Sequence, residues 1–250
     1  MPVTRSTGLL ALGGIAVAAL LTVIGHLEVN DDLNPWALTI SDFAVSDRGG
    51  VIDVAMVVLA LATAALIYGL RRPGPPRSGR VVELLLGAWV AGLLLAAVVP
   101  TNEPGAAMTA SAYVHRYASV VAFLALPIGG WLLARRPDLT PTARTLRALV
   151  VLSLALSAAM VWSAYPGDRL LIGLAERLLI LTEVAVLATV AVTQVRRAPV
   201  DHGVVVPHKR GVIPQNGHHK SMIDEDGRGY SSSWSISWRA DSVMEPERLG

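Results

Sequence analysis

The sequence predicts an all-α, polytopic integral membrane protein with six transmembrane helices and both termini in the cytoplasm. Three observations lead there. Apolar runs cross the chain at residues 8–27, 51–70, 81–99, 113–133, 146–164 and 171–192. Each is about 20 residues long, and at ~1.5 Å per residue such a helix spans the ~30 Å hydrocarbon core of a bilayer. Hydrophobic residues make up 53% of the chain and charged residues 16%, well short of the roughly one quarter charged in soluble domains. Finally, the connections alternate in arginine content. Arg71, Arg72, Arg77 and Arg80 surround the second-to-third connection, and Arg135, Arg136, Arg144 and Arg147 the fourth-to-fifth. The other connections and their flanking turns carry only Arg48, Arg116, Arg169 and Arg177.

Each element has a local reason. The first run follows Arg5 alone, but it is too long for a signal-peptide core and no small-residue cleavage site precedes Glu28, so it reads as a retained helix. In the stretch 26–50, Asn34-Pro35 breaks any helix and Gly49-Gly50 marks the start of the second span. Between those breaks Trp36, Leu38, Ile40, Phe43 and Val45 are apolar. A loop of this length and composition is expected to lie at the interface or fold over the bundle mouth. Glu83 opens the third span, where it can snorkel toward Arg80. Pro127-Ile-Gly129-Gly130 interrupts the fourth span, with no counterpart in the first half of the chain to suggest a transporter's internal repeat. Small residues such as Ala155/Ala159 and Gly87/Ala91 favour close helix packing. The membrane domain covers 1–195. The tail, 196–250, is rich in Gly, Ser, His and mixed charge, without the periodicity of a packed core, and is expected to be disordered.

Orientation follows from the positive-inside rule. Placing the N-terminus in the cytoplasm keeps both arginine clusters and Arg196-Arg197 there; the reverse would export eight loop arginines. Tyr113, Tyr117, Trp162 and Tyr165 then fall near the outer interface, and Tyr68 and Trp131 near the inner one. Arginine outnumbers lysine 19 to 2, a codon signature of a GC-rich bacterium, so the expected location is the bacterial cytoplasmic (inner) membrane. The partner is the lipid bilayer, and no nucleic acid is expected. Without cysteine, disulfides, thiolate catalysis and Cys-ligated zinc or iron–sulfur sites are excluded. The absence of a Gly-x-x-x-x-Gly-Lys-Ser/Thr segment excludes ATP-driven transport within this chain.

The stretch Asn34-Pro-Trp-Ala-Leu-Thr-Ile-Ser-Asp-Phe43 before the second span resembles a signature of a prokaryotic six-helix membrane family, catalogued as domain of unknown function 998. Pro100-Thr-Asn-Glu-Pro-Gly105, then Tyr113-Val-His115-Arg116, then Pro127 agree with that resemblance and in the same order. It covers about 8–195. It implies six helices and no assigned activity, so no catalytic roles or cofactors carry over. Asn102-Glu103 departs from the Thr-Asp-Pro-like sequence expected there.

Most ionisable groups of the membrane domain converge on the outer side. His26 ends the first span; Asp42 and Asp47 precede the second and Asp53 is in its first turn. Glu103 lies in the second outer loop. His115 and Arg116 open the fourth span, and Asp168, Glu176 and Arg177 surround the start of the sixth. In a bilayer such groups face the bundle interior or water and pair with one another. They are the expected ligand-binding residues of an outward-facing polar pocket that binds or passes a small polar molecule or a lipid headgroup. The plainer alternative is that the carboxylates cap helices and pair with arginine, stabilising the fold only. A metal-assisted hydrolase acting on an outer-leaflet lipid is the competing function. It needs carboxylates to complete a site around His26 and His115, the two histidines of the bundle. The same pair is a thin signal for b-type haem.

Glu183 stands apart, near the middle of the sixth span and seven residues after Glu176 on the same face. A carboxyl there costs ~2.5–3.5 kcal/mol on insertion scales. It is expected to be protonated, or hydrogen-bonded to Ser153, Ser157 or Ser163, serving as a relay inward from Glu176 or as glue between helices.

Overall fold

The computed structural model describes residues 3–28, 33–46, 50–71, 79–103 and 105–197. Asp47 and the tail from 198 onward, expected to be disordered, lie outside the described residues. Among the described residues seven α-helices form: α1 (Val3–Glu28), α2 (Ile40–Ser46), α3 (Val51–Leu70), α4 (Arg80–Val98), α5 (Ala110–Leu133), α6 (Ala143–Ala164) and α7 (Ile172–Arg197). A 3-10 stretch, Pro137–Thr142, leads into α6. No strand occurs among the described residues. All except α2 are long and apolar enough to cross a membrane, so this is an all-α, six-span protein as the hydropathy predicts.

The helix ends have identifiable causes. Gly50 takes φ 69°, a left-handed turn into α3 that a side chain would strain. Thr109 begins α5 by accepting the Ala112 N–H on its side chain at 3.3 Å. Pro137 and Pro141 cannot donate into a helix, and regular α-helix resumes only at Ala143.

Successive helices pack on one another in chain order, and α7 closes the ring against α1. Apolar side chains do not drive this in lipid, where tails are as apolar as leucine; close packing of small residues does. A Cβ on Gly14 would lie 2.7 Å from that of Ala62, so α1 and α3 meet almost backbone to backbone. Gly130 plays the same part where α5, α6 and α7 converge: its Cβ would lie 3.0 Å from Val150 and 3.3 Å from Val186. A polar knot ties α1, α3 and α7 at the end opposite His26. There Gln194 donates to the Leu66 carbonyl at 3.1 Å and accepts from the Thr7 hydroxyl at 3.2 Å. At that same end Glu83 pairs with Arg71 at 3.0 Å. Arg71 ends α3 directly beside the start of α4.

At the His26 end, α2 rests on α1, α3 and α7. The loop segment therefore folds over the bundle mouth, as its apolar content predicts. Phe43 and Ile52 are buried beneath it, with Leu33, Leu38 and Ile40 packed around them.

Candidate binding site beneath the first loop

The loop first folds on itself. The Asn34 carbonyl accepts N–H bonds from Ala37 at 3.2 Å and Leu38 at 3.0 Å, turning the chain after Pro35. Thr39 and Asp42 then form a reciprocal cap. The Thr39 hydroxyl accepts the Asp42 N–H at 3.2 Å, and Asp42 Oδ2 accepts the Thr39 N–H at 2.8 Å. Two of the donors left over at the start of α2 are satisfied this way.

The first turns of α7 hold that loop in place. Gly173 N–H donates to the Trp36 carbonyl at 3.1 Å. A Cβ at Gly173 would run into the Leu38 and Pro35 carbonyl oxygens, so only glycine permits the approach. Arg177 Nη1 reaches the carbonyls of Pro35 at 2.7 Å, Leu38 at 2.8 Å and Gly173 at 3.0 Å. Its guanidinium lies 4.9 Å from the centre of the Phe43 ring, within cation–π range. Glu176 Oε2 accepts the Ile40 N–H. Arg169 Nη2 pairs with Asp42 Oδ2 at 3.1 Å.

Both bundle histidines serve the same assembly. His26 Nδ1 faces the Thr22 carbonyl at 2.7 Å, so it carries the proton, and Nε2 accepts from Arg177 Nη2 at 3.1 Å. The ring also stacks on Phe43 with centroids 4.8 Å apart. His115, from α5, donates through Nδ1 to the Val99 carbonyl at 2.8 Å and accepts the Ser41 hydroxyl on Nε2 at 3.0 Å. Each imidazole has spent both nitrogens on protein partners. Among the described residues no group of histidines and carboxylates assembles with the spacing of a metal site.

Under α2, between the His26-end halves of α5, α6 and α7, lies a cavity of about 240 Å³. Its upper wall is polar: Thr39, Ser41, Asp42, His115, Arg169 and Glu176. Its lower wall is apolar, with Phe123, Leu124, Met160, Val161 and Leu179. Arg116 and Tyr165 stand at the rim. Toward the opposite end α5 and α6 approach closely at Gly130–Val150. Val120, Leu124, Val161 and Tyr165 line the cavity and are also exposed on the outside of the bundle, so the cleft opens sideways between the two helices.

Of the residues singled out from the sequence, His26, Asp42, His115, Glu176 and Arg177 are brought together around the loop. Arg116 is at the cavity rim, its Nη2 3.5 Å from Met108 Sδ. Asp53 is in the first turn of α3 beside Gly50. Asp47 is outside the described residues. Glu103 is exposed. Sequence reasoning missed Thr39, Ser41, Arg169 and Gly173. The Thr39-x-x-Asp42 spacing is a recognisable cap signature, whereas nothing local marks Arg169 or Gly173.

Glu183 lies one helical turn below the cavity floor at Leu179 and is 2% exposed. Its partner is not a serine of α6. The Trp89 indole N–H, from α4, donates to Oε2 at 3.2 Å. Ser157 bonds instead to the Ser153 carbonyl and Ser163 to the Leu170 carbonyl, each within its own chain neighbourhood. Among the described residues Glu183 Oε1 and Ser153 Oγ have no hydrogen-bond partner. Ser153 and Glu183 each lie one turn from the Val150–Val186 contact toward the His26 end, level with Pro127, which has no N–H to give the Phe123 carbonyl.

Fold and site together define a six-span helical membrane protein whose first long loop is strapped over the bundle by the start of its last helix. The profile of the family described as "Protein of unknown function (DUF998)" matches residues 12–193, nearly the whole bundle. The chain belongs to that family. No curated protein and no solved structure matches it.

Proposed function

We propose that this chain is a multi-pass protein of the bacterial cytoplasmic membrane, with both termini in the cytoplasm, that binds or passes a lipid headgroup or small polar molecule in an outward-facing pocket. One observation carries the reading: a polar wall under α2 stands directly above an apolar cleft that opens sideways between α5 and α6. That division matches an amphiphile, with its head among Asp42, Arg116, Arg169 and Glu176 and its chains along Phe123, Leu124 and Val161. The volume of about 240 Å³ is below the ~300–1,000 Å³ that encloses a drug-sized ligand. It suits a headgroup, with the tails left in the bilayer. The metal-assisted hydrolase gains nothing from this geometry, because His26 and His115 are both committed to holding the loop.

Native mass spectrometry of the detergent-purified protein tests the proposal. Wild type is expected to retain a lipid or small-molecule mass, and Ala164→Trp, which fills the cleft, to lose it while staying monodisperse. A folded wild type that carries no bound mass even after incubation with bacterial lipid extract overturns the proposal.

A further inference from the structure

Resting on that pocket reading, we infer that the ligand is a zwitterionic lipid bearing a primary ammonium and a phosphate, of the phosphoethanolamine class. Glu176 carries the argument. It is 4% exposed, and one carboxylate oxygen is spent on the Ile40 N–H. The other has no protein partner among the described residues, and the residue borders the cavity. A buried carboxyl with an oxygen left over beside a cavity is satisfied by a ligand that brings donors.

Asp42 repeats the pattern on the same wall. Its Oδ2 is shared by Thr39 and Arg169, while Oδ1 has no protein partner among the described residues. A primary ammonium brings three N–H donors and a positive charge to two carboxylates. The phosphate falls to the arginines. Among the described residues the Arg116 side chain hydrogen-bonds only to the thioether of Met108, at 3.5 Å, a weak acceptor that leaves most of its fork of donors for an anion. Arg169 uses one amino group on Asp42, and its side chain is 47% exposed.

The lining charges sharpen the choice. Two carboxylates and two guanidiniums line the cavity, so a zwitterion offers each pair a partner of the opposite sign. A phosphoglycerol head brings a phosphate and hydroxyls but no cation for the carboxylates. A phosphocholine head matches the charge but meets the carboxylates with methyl groups that cannot donate.

The test uses the full chain, stripped of lipid in detergent and incubated with equal amounts of phosphatidylethanolamine, phosphatidylglycerol and phosphatidylcholine of identical acyl chains. Bound fractions are read by native mass spectrometry, with a parallel arm of soluble glycerophosphoethanolamine. Phosphatidylethanolamine is expected to lead each competitor by about tenfold, the worth of one charge-assisted hydrogen bond. Glu176→Gln keeps an acceptor for Ile40 and turns the cavity-facing group into a donor, so that lead should collapse. Arg116→Gln, at the exposed rim, should weaken all three phospholipids alike and keep their ratio. Equal or better binding of phosphatidylglycerol or phosphatidylcholine overturns the inference but leaves the pocket proposal standing, as does a lead that survives in a folded Glu176→Gln protein. Saturable binding of the soluble compound without the lipid overturns the lipid source. Binding of nothing by the folded protein removes both readings.

Discussion

Replacing Arg177 by alanine should release the first loop from the bundle. The side chain reaches three carbonyls, of Pro35, Leu38 and Gly173, through Nη1 and the His26 ring through Nη2. An amino group has only two hydrogens, so the three carbonyl contacts amount to about two bonds, and the histidine adds a third. Charge-assisted bonds contribute ~1.5–3 kcal/mol each. Because Arg177 is only partly buried, water at the loop edge can replace part of that once the side chain is gone. We therefore halve the lower sum and expect the loop to lose about 2–3 kcal/mol of protection against local opening. Hydrogen exchange followed by mass spectrometry reads this directly. Amides in 33–46 and that of Gly173 should exchange roughly 30- to 150-fold faster, at tenfold per ~1.4 kcal/mol, while amides in the middle of α3 and α4 stay unchanged. Arg177→Lys should fall between, since one ammonium cannot span the carbonyls and the imidazole together. Exchange in the loop unaffected by Arg177→Ala would refute the strap and leave the loop held by its apolar contacts around Phe43.

The remaining predictions test other links. Gly173→Ala places a methyl group against two backbone carbonyls that cannot rotate away, and should cost ~1–3 kcal/mol of thermal stability in detergent; a wild-type melting curve would show that the loop has room to shift. Glu183→Gln preserves an acceptor for the Trp89 indole and should fold, whereas Glu183→Lys sets an ammonium against that donor in the buried centre and should fold poorly; size-exclusion profiles of the two variants decide it, and a monodisperse Lys variant contradicts the reasoning. A reporter active only outside the cytoplasm should be silent when fused after Pro73 or Asp138 and active near Asn34, Ala107 or Asp168; activity at Asp138 reverses the proposed orientation.

The bundle was legible because lipid makes hydropathy a local property. A helix in a bilayer satisfies its own backbone, so the apolar runs at 8–27 and 171–192 declare themselves without reference to any neighbour. The polar residues that gather at the His26 end were legible for the same reason, since an ionisable group near a span must be explained. Even the cap that starts α2 was written in the Thr39-x-x-Asp42 spacing. What each group does was not. Arg177 and Glu176 bond to loop residues 136 to 142 positions earlier in the chain, and Gly173 is required only because that loop's carbonyls come down on it. The imidazoles of His26 and His115, open to metal or haem in the sequence, are closed by partners that only the fold supplies. Glu183 finds Trp89 rather than an α6 serine because the packing of the whole bundle sets which side chain shares its layer. Backbone satisfaction is decided within one helix and can be read from its residues. Side-chain satisfaction is decided between helices, where relative rotation and depth are set by packing of the whole bundle.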